Sequence, residues 1–386
     1  MLRFLTAGES HGPQLTVILE GMPSGIKIDR ESINQWLADR QKGYGRGGRM
    51  AIERDQVSIL SGIRGGYTLG SPITMVIENK DWTNWRELMT AEDTAVLSKR
   101  KVTRPRPGHV DLAGAIKYRH QDMRNVLERA SARETAARVA VGALVWQFLN
   151  LLNIEVLAHV ISLGPVKCPS QEMDWEVVQE QIRRSSVCCA DDEASAAMVK
   201  AIDRAREAGE TLGGVFEIMV RGLPPGLGSY VHWDRRLDGL LAQALMSIQG
   251  IKGVEIGLGF RAGFLSGSQV HDPIYYGAQE GFYRPTNGAG GLEGGVTNGE
   301  ILVLRAAMKP IPTLMKPLAS VDVITKEPVE ATKERSDVCA VPAATVVGKA
   351  VIAPVLANAL LEKFGHDNID EIKKAWQDYW DYVRDF

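Results

Sequence analysis

The sequence predicts an α+β protein, and three observations lead there. Strand-like runs flank helical segments without the regular strand–helix alternation of a doubly wound parallel sheet. No internal repeat, low-complexity tract or linker interrupts the 386 residues. A hydrophobic content of 45% beside 24% charged residues is enough for a large core and excludes a disordered chain. Length alone allows two or three domains.

The elements follow in chain order. Leu15–Leu19, Val57–Leu60 and Ile73–Ile77 are short apolar runs separated by glycine turns, hence strands. Asp29 can cap a helix over Glu31–Gln41, which Gly43 ends. Lys99–Pro107 is basic and broken by proline, hence irregular. The clearest helix starts at Ser131. Ser131 and Glu134 have capping-box spacing, and small or apolar residues recur at Ala136, Val139, Ala140, Ala143, Leu144 and Phe148. A strand over Glu155–Leu163 precedes charged helices near Glu172–Arg184 and Asp191–Ala208, the latter stopped by Gly209. Gly214–Leu223 is a further strand, followed by the turn Pro224-Pro225-Gly226, a helix over Asp234–Ile248 and a strand at Val254–Ile256. Between Gly250 and Gly299 stand 14 glycines, too many for regular elements in a stretch too long for a plain connector, which marks it as functional or mobile. Strands at Ile301–Leu304 and Ala319–Ile324 bracket the loop Lys309-Pro-Ile-Pro-Thr313. Two helices finish the chain, the first opening near Pro342 and kinked at Pro354.

Composition limits the partners. Lys and Arg number 45 against 47 Asp and Glu, a net charge of −2, so the surface as a whole is no footprint for nucleic acid or an acidic membrane. Cys168, Cys188, Cys189 and Cys339 form no CxxC pair and read as reduced thiols of a cytoplasmic protein. The N-terminus reaches Glu9 before any stretch suited to a signal sequence. The uncharged run Val139–Ile154 is shorter than the ~20 apolar residues of a membrane span and reads as a buried helix. Glycine is in excess, at 39 residues against a usual ~7%, as loops built closely around a ligand require.

Two segments imitate a dinucleotide fingerprint, Gly43-Tyr-Gly45-Arg-Gly-Gly48 and Gly257-Leu-Gly259-Phe-Arg-Ala262. That fingerprint works only between a strand and a helix. The first follows a helix and the second precedes none, so neither qualifies. Charge clustering is more informative. Arg40, Lys42, Arg46, Arg49 and Arg54 face the single acid Glu53; Lys99, Arg100, Lys101, Arg104 and Arg106 face none; Arg124, Arg129, Arg133 and Arg138 surround Ser131. Any one cluster can be a solvated basic face. Three of them interleaved with glycine favour a small polyanion, since guanidinium forks grip carboxylate and phosphate while neighbouring backbone N–H groups close on the same anion.

Two of the seven histidines have informative company. His11 lies in the glycine-bracketed loop Gly8-Glu-Ser-His-Gly12, and His109 follows Arg104-Pro-Arg-Pro-Gly108. An imidazole beside arginines suits proton donation to a leaving phosphate, although a lone loop histidine is more often structural. In Arg335-Ser-Asp337-Val-Cys339 a carboxylate precedes a helix and is either a proton acceptor or a cap, while Cys339 lacks a partner histidine and reads as a small buried hydrophobe. No His, Cys, Asp or Glu spacing suggests a metal.

These segments resemble the chorismate synthases. Gly8-Glu-Ser-His-Gly12 through Glu20-Gly-Met-Pro23 is similar to the family's first signature, Glu128-Arg-Ala-Ser-Ala-Arg133-Glu-Thr135 to the second, and Arg335-Ser-Asp337-Val-Cys339 to the start of the third. Arg104-Pro-Arg-Pro-Gly-His109, Gly253-Val-Glu-Ile-Gly257 and Lys309-Pro-Ile-Pro-Thr313 match further blocks, and the likeness runs from Gly8 to about Leu361. Lys349 departs from it, standing where the family usually has glutamate. The resemblance implies one domain over 1–386, with central helices sandwiched between antiparallel sheets, and a cytoplasmic homotetramer. It implies a lyase that converts 5-enolpyruvylshikimate 3-phosphate to chorismate by 1,4-anti elimination of phosphate, with reduced FMN and no net oxidation. NADPH is the candidate reductant, or a separate flavin reductase. By the same resemblance His11 would protonate the departing phosphate, His109 the reduced flavin, and Asp337 would assist proton transfer with Ser10 in support. Flavin contacts would fall on Ser131, Ala132, Arg133, Gln249, Gly250, Gly294, Lys309, Pro310, Ile311, Pro312, Thr313 and Arg335. Arg40, Arg46, Arg49 and Arg104 would meet substrate or a dinucleotide phosphate. An RNA-binding protein would instead lose affinity steeply with salt, and an NADPH oxidoreductase would consume its reductant in step with product.

Overall fold

In the computed structural model, which describes residues 1–47, 54–169, 174–278, 281–334 and 336–386, alternation of side chains builds two antiparallel sheets that share one interior. The first contains β1 (Arg3–Ala7), β2 (Gln14–Glu20), β3 (Val57–Ile59) and β4 (Ile73–Glu78) in the order β1-β2-β4-β3. β2 buries Leu15, Val17 and Leu19 and turns Gln14, Ile18 and Glu20 outward, as a two-residue period dictates. Leu15 lies opposite Ile77 and Val17 opposite Met75. The second sheet contains β5 (Glu155–Leu163), β6 (Val166–Lys167), β7 (Gly214–Arg221), β8 (Ile251–Ile256) and β9 (Leu302–Met308), ordered β8-β9-β7-β5-β6. Phe216, Ile218 and Val220 of β7 and Leu302, Leu304 and Ala306 of β9 are buried between it and the helices.

Among the described residues the helices longer than one turn are α1 (Arg30–Gln41), α2 (Asp111–Tyr118), α3 (Arg124–Ala130), α4 (Thr135–Asn150), α5 (Trp175–Arg184), α6 (Asp192–Glu207), α7 (Leu237–Met246), α8 (Val341–Phe364) and α9 (Ile369–Asp385). α4 packs on the first sheet, α8 on the second, and the two pack on each other, with α1 and α7 beside them. Both are apolar around nearly their whole circumference, the pattern of a helix enclosed on all sides. The sandwich of central helices between antiparallel sheets is therefore present. α8 is long and apolar enough to cross a membrane, but 83% of its apolar stretch lies inside the protein.

Two glycines set the layer spacing. A Cβ on Gly142 of α4 would stand 2.3 Å from Ala350 Cα and 2.4 Å from Ala350 O on α8. One on Gly348 would stand 2.6 Å from the Phe216 ring of β7. Trp146 Nε1 adds a bond to Lys349 O at 2.8 Å across the same helix pair. The start of the first sheet is tied to α8 too: Leu2 N donates to Asn358 Oδ1 at 2.7 Å, and Asn358 Nδ2 donates to Leu2 O at 2.9 Å.

Several sequence expectations need correction. β1 carries no strong apolar run and escaped prediction, because its pairing with β2 decides it. The helix expected from Ser131 begins at Thr135, behind a 3₁₀ turn over Ala132–Glu134. The Ser131 side chain accepts from Arg133 N, but Glu134 turns inward to Thr6, Arg138 and Gln249, so only half of the capping box forms. The glycine-rich stretch is more regular than expected: it holds β8, a 3₁₀ turn over Gly259–Phe264 and short hairpins at Tyr275–Gly277/Gly281–Tyr283 and Leu292–Glu293/Val296–Thr297.

Candidate active site

The loop between β1 and β2 presents Ser10 and His11 to the N-terminal side of α4, where α3 ends. Ser10 N donates to Glu128 O at 2.9 Å and its hydroxyl accepts from Ser131 Oγ at 3.2 Å. His11 N donates to Glu128 Oε2 at 2.9 Å, and His11 Nδ1 lies 2.9 Å from both oxygens of the same carboxylate. Burial of Glu128 favours its neutral form, but the bonds from His11 and the charge of Arg124, 3.0 Å away, outweigh that and hold the carboxyl below its ordinary range. An ionised carboxylate only accepts, so Nδ1 carries the proton. The imidazole stacks on Trp85 at 3.9 Å between centroids, and the Arg100 guanidinium lies 4.3 Å from the Trp85 ring. Arg100 itself has φ +56°, a conformation costly for a residue with a Cβ. It aims the Arg100 carbonyl at Arg124 Nε, 2.8 Å away.

The same basic loop then carries His109. Its Nδ1 donates to Asp111 Oδ1 at 2.6 Å, and Arg106 grips the other Asp111 oxygen through Nε at 2.8 Å. Burial opposes ionisation of Asp111, yet the hydrogen bonds from His109 and Arg106 hold its carboxyl far below the usual carboxylate range. Arg106 Nη1 reaches Thr313 Oγ1 at 3.1 Å, and Lys309 Nζ donates to Gly108 O. These two contacts fasten the His109 loop to the 309–313 loop. Ser320 Oγ on Pro105 O (2.6 Å) and Thr332 Oγ1 on Arg104 O (2.8 Å) pin it from the other side.

Asp337 joins a third segment. Its Oδ1 accepts from Gly47 N at 2.6 Å and its Oδ2 pairs with Arg46 Nη1 at 2.8 Å. Val338 N bonds Gly45 O, Leu212 N bonds Val338 O, and Thr211 Oγ1 reaches Ile311 O at 2.7 Å, so Asp337 is tied to the 309–313 loop as well. Glu334, three residues before Asp337, meets Arg124 Nη2 at 3.2 Å and closes the connection to Glu128 and His11. Lys309 N bonds Gly250 O at 2.9 Å and Gln249 Nε2 bonds Glu134 Oε2 at 3.3 Å. Gln249 Oε1 is buried with no hydrogen-bond partner among the described residues.

The structure thus brings together Ser10, His11, His109, Asp337, Arg46, Ser131, Gln249, Gly250 and Lys309–Thr313, although their sequence positions span most of the chain. The remaining candidates have other settings. Arg40 and Arg133 are buried and share Asp55, at 2.8 and 2.6 Å. Burial lowers the Arg40 guanidinium to about 10 despite Asp55. Gly294 is exposed at the tip of a hairpin whose contacts run to Gly228 and Leu237. Ala132 and Arg104 are exposed. Arg49 and Arg335 lie outside the described residues. Lys349 sits on α8 with Nζ 4.7 Å from the Trp36 ring of α1, a packing position. Cys339 is fully buried, and burial pushes its thiol up to about 11, as a small hydrophobe requires.

Sequence reasoning missed Glu128, Asp111, Trp85 and Asp55. Asp111 follows His109 by two residues, a spacing that could have found it. Glu128 stands 117 residues from His11, and nothing local signals the pairing.

Comparison with known proteins identifies the family. A family model described as chorismate synthase matches residues 2–361. Relatives named chorismate synthase include those of Moorella thermoacetica (61% identity), Desulforamulus reducens (60%) and Geobacter sulfurreducens (59%), each covering 100% of both chains. A solved structure titled "Crystal Structure of Chorismate Synthase" superposes with a TM-score of 0.81 at 44% identity, covering 100% of this chain and 99% of that one. The chain belongs to the chorismate synthase family, the shikimate-pathway lyases that convert 5-enolpyruvylshikimate 3-phosphate to chorismate.

Proposed function

We propose that the two-histidine centre performs this conversion as a 1,4-anti elimination of phosphate, with the family's flavin bound as reduced FMN. The observation that carries the reading is the pair of imidazoles, each held at Nδ1 by a buried carboxylate. Loss of phosphate requires a proton donor at the leaving oxygen and cations around it. His11 Nε2 supplies the first. Arg46, beside Asp337, and the exposed Arg104 of the His109 loop would supply cations to anionic substrate groups; Arg40, sealed against Asp55 and bonded to Thr135, acts by holding the start of α4 in place. His109 holds a proton toward the flavin, Asp337 assists its movement, and Ser10 braces the His11 loop against Ser131.

The residues present fit FMN. Gln249 Oε1 is a buried acceptor awaiting a donor such as a ring N–H, and the Lys309 ammonium suits a phosphate monoester. Gly250, with φ +84° and only Met308 near its Cβ position, leaves its backbone approachable. Reduced flavin, when bound, supplies electron density to the allylic system and recovers it, so the reaction has no net oxidation. Four free thiols support a reducing, cytoplasmic setting. Exposed Tyr230, Trp233, Phe260 and Phe264 support subunit contacts in a homotetramer. The flavin is kept reduced by NADPH or by a separate flavin reductase.

An anaerobic assay with prereduced FMN and 5-enolpyruvylshikimate 3-phosphate, following chorismate and phosphate together, tests the reading. Equal release of both products is expected, without stoichiometric NADPH consumption. His11→Ala and His109→Ala should each lower turnover by about 10²–10⁴-fold, the contribution of a positioned acid. Absence of product from the unaltered enzyme, or full turnover by either variant, overturns it.

A further inference from the structure

Resting on the reading of His11 as the acid, we propose that Glu128 is its positioning residue: it fixes the ring proton on Nδ1, leaves Nε2 facing the departing phosphate, and balances the imidazolium charge. Three hydrogen bonds from two consecutive residues end on Glu128. Ser10 N reaches its carbonyl at 2.9 Å, while His11 N and His11 Nδ1 both reach its carboxylate at 2.9 Å. Fixing backbone and ring to one carboxylate leaves the imidazole little freedom about its side-chain bonds, and stacking on Trp85 at 3.9 Å removes what remains. The Glu128 side chain is 1% exposed, so water does not compete for it, whereas the His11 side chain keeps 16% exposure. No described residue hydrogen-bonds His11 Nε2, so the free nitrogen is the one available to a ligand.

The charges around the ring fit this role. Glu128 and Arg124 stand on α3, Glu334 bonds Arg124, Arg100 on the basic loop lies 4.3 Å from the Trp85 ring on which the imidazole stacks, and Glu9 stands in the histidine's own loop. Arg124 bonds Glu128 Oε1 at 3.0 Å and Glu334 at 3.2 Å, which divides its charge between two acids and leaves Glu128 able to balance a second cation. His109 differs: the Arg106 guanidinium that grips Asp111 also lies 3.2 Å from the His109 ring, so the two histidine–carboxylate pairs are not equivalent.

Glu128→Gln separates charge from shape, because its amide oxygen can still accept from Nδ1–H. We expect kcat to fall by about 10–100-fold, inside the range that side-chain proton transfer contributes. KM and FMN affinity should hold within about twofold, and the alkaline limb of the kcat profile should move to lower pH. Glu128→Asp, which keeps the charge, should recover part of kcat. Turnover of Glu128→Gln within about twofold of the unaltered enzyme, while His11→Ala is impaired, refutes the role of Glu128 and leaves that of His11 standing. Full activity of His11→Ala refutes the underlying reading instead. If Glu128→Gln does not fold, ¹⁵N spectra of the unaltered enzyme decide: neutral His11 protonated on Nδ1 supports the proposal, and protonated on Nε2 overturns it.

Discussion

Asp337 couples two segments that the sequence separates widely, through Gly47 N at 2.6 Å and Arg46 at 2.8 Å. Its side chain is 20% exposed, so it remains open to a ligand while held. Asp337→Asn keeps an acceptor for Gly47 but loses the charge that Arg46 balances. Turnover should drop at least tenfold while FMN affinity changes little, measured by anaerobic turnover and flavin titration. An affinity loss with normal turnover would make the residue structural. At this scale the sequence was most legible where chemistry requires an unusual residue beside glycine, as at His11 and His109. It was least legible for partners such as Glu128, whose contact depends on how α3 lies against the β1–β2 loop. The basic clusters were legible as clusters but misleading about their partners. Arg40 and Arg133 on Asp55, Arg106 on Asp111 and Arg124 on Glu128 are paired within the protein, which is also why arginine-rich loops coexist with a net charge of −2.

Among the elements, the contact of α4 with α8 is the most exacting. Pro354 has no N–H, so the carbonyl of Ala350 receives no helical bond from it, and Gly142 lies against that carbonyl. Helix propensity alone favours Gly142→Ala by about 1 kcal/mol. The added methyl would overlap Ala350 backbone atoms at 2.3–2.4 Å, and forcing a well-packed core apart costs about 1–3 kcal/mol or more. Overlap with rigid backbone should prevail, so Gly142→Ala should lower Tm by several degrees in calorimetry. An unchanged or raised Tm would show that propensity wins. The helices themselves were readable from apolar content and caps: Asp29 accepts from Glu31 N and Asp191 from Ala194 N. The start expected at Ser131 was not, since there tertiary partners override the local signal.

For the whole molecule, buried carboxylates set the acid limit of stability. Asp55, Asp111, Glu128, Glu134 and Glu217 are all opposed by burial, yet their hydrogen-bonded cations lower each below its ordinary value. A depressed folded value means that the stabilisation is fully present above the unfolded carboxylate pKa, about 4. It is lost as pH falls through the folded values. Tm should therefore be nearly constant from pH 7 to 5 and fall steeply below about 4. A steep fall already between pH 7 and 5 contradicts this assignment. The α+β class was legible from the absence of strand–helix alternation, and the layer order came from family resemblance. Periodicity could not supply it, because α4 and α8 are apolar all round and name no face.

The clamp between Leu2 and Asn358 has a consequence for biosynthesis. The strand that carries the His11 loop leaves the ribosome long before its side-chain anchor, which lies 356 residues further along the chain. At about 5–20 residues per second, tens of seconds separate the two ends, and through that interval β1 is without its closing partner. The edge strand beside the His11 loop is therefore begun early and closed late, and a chain that stops short of Asn358 lacks that closure.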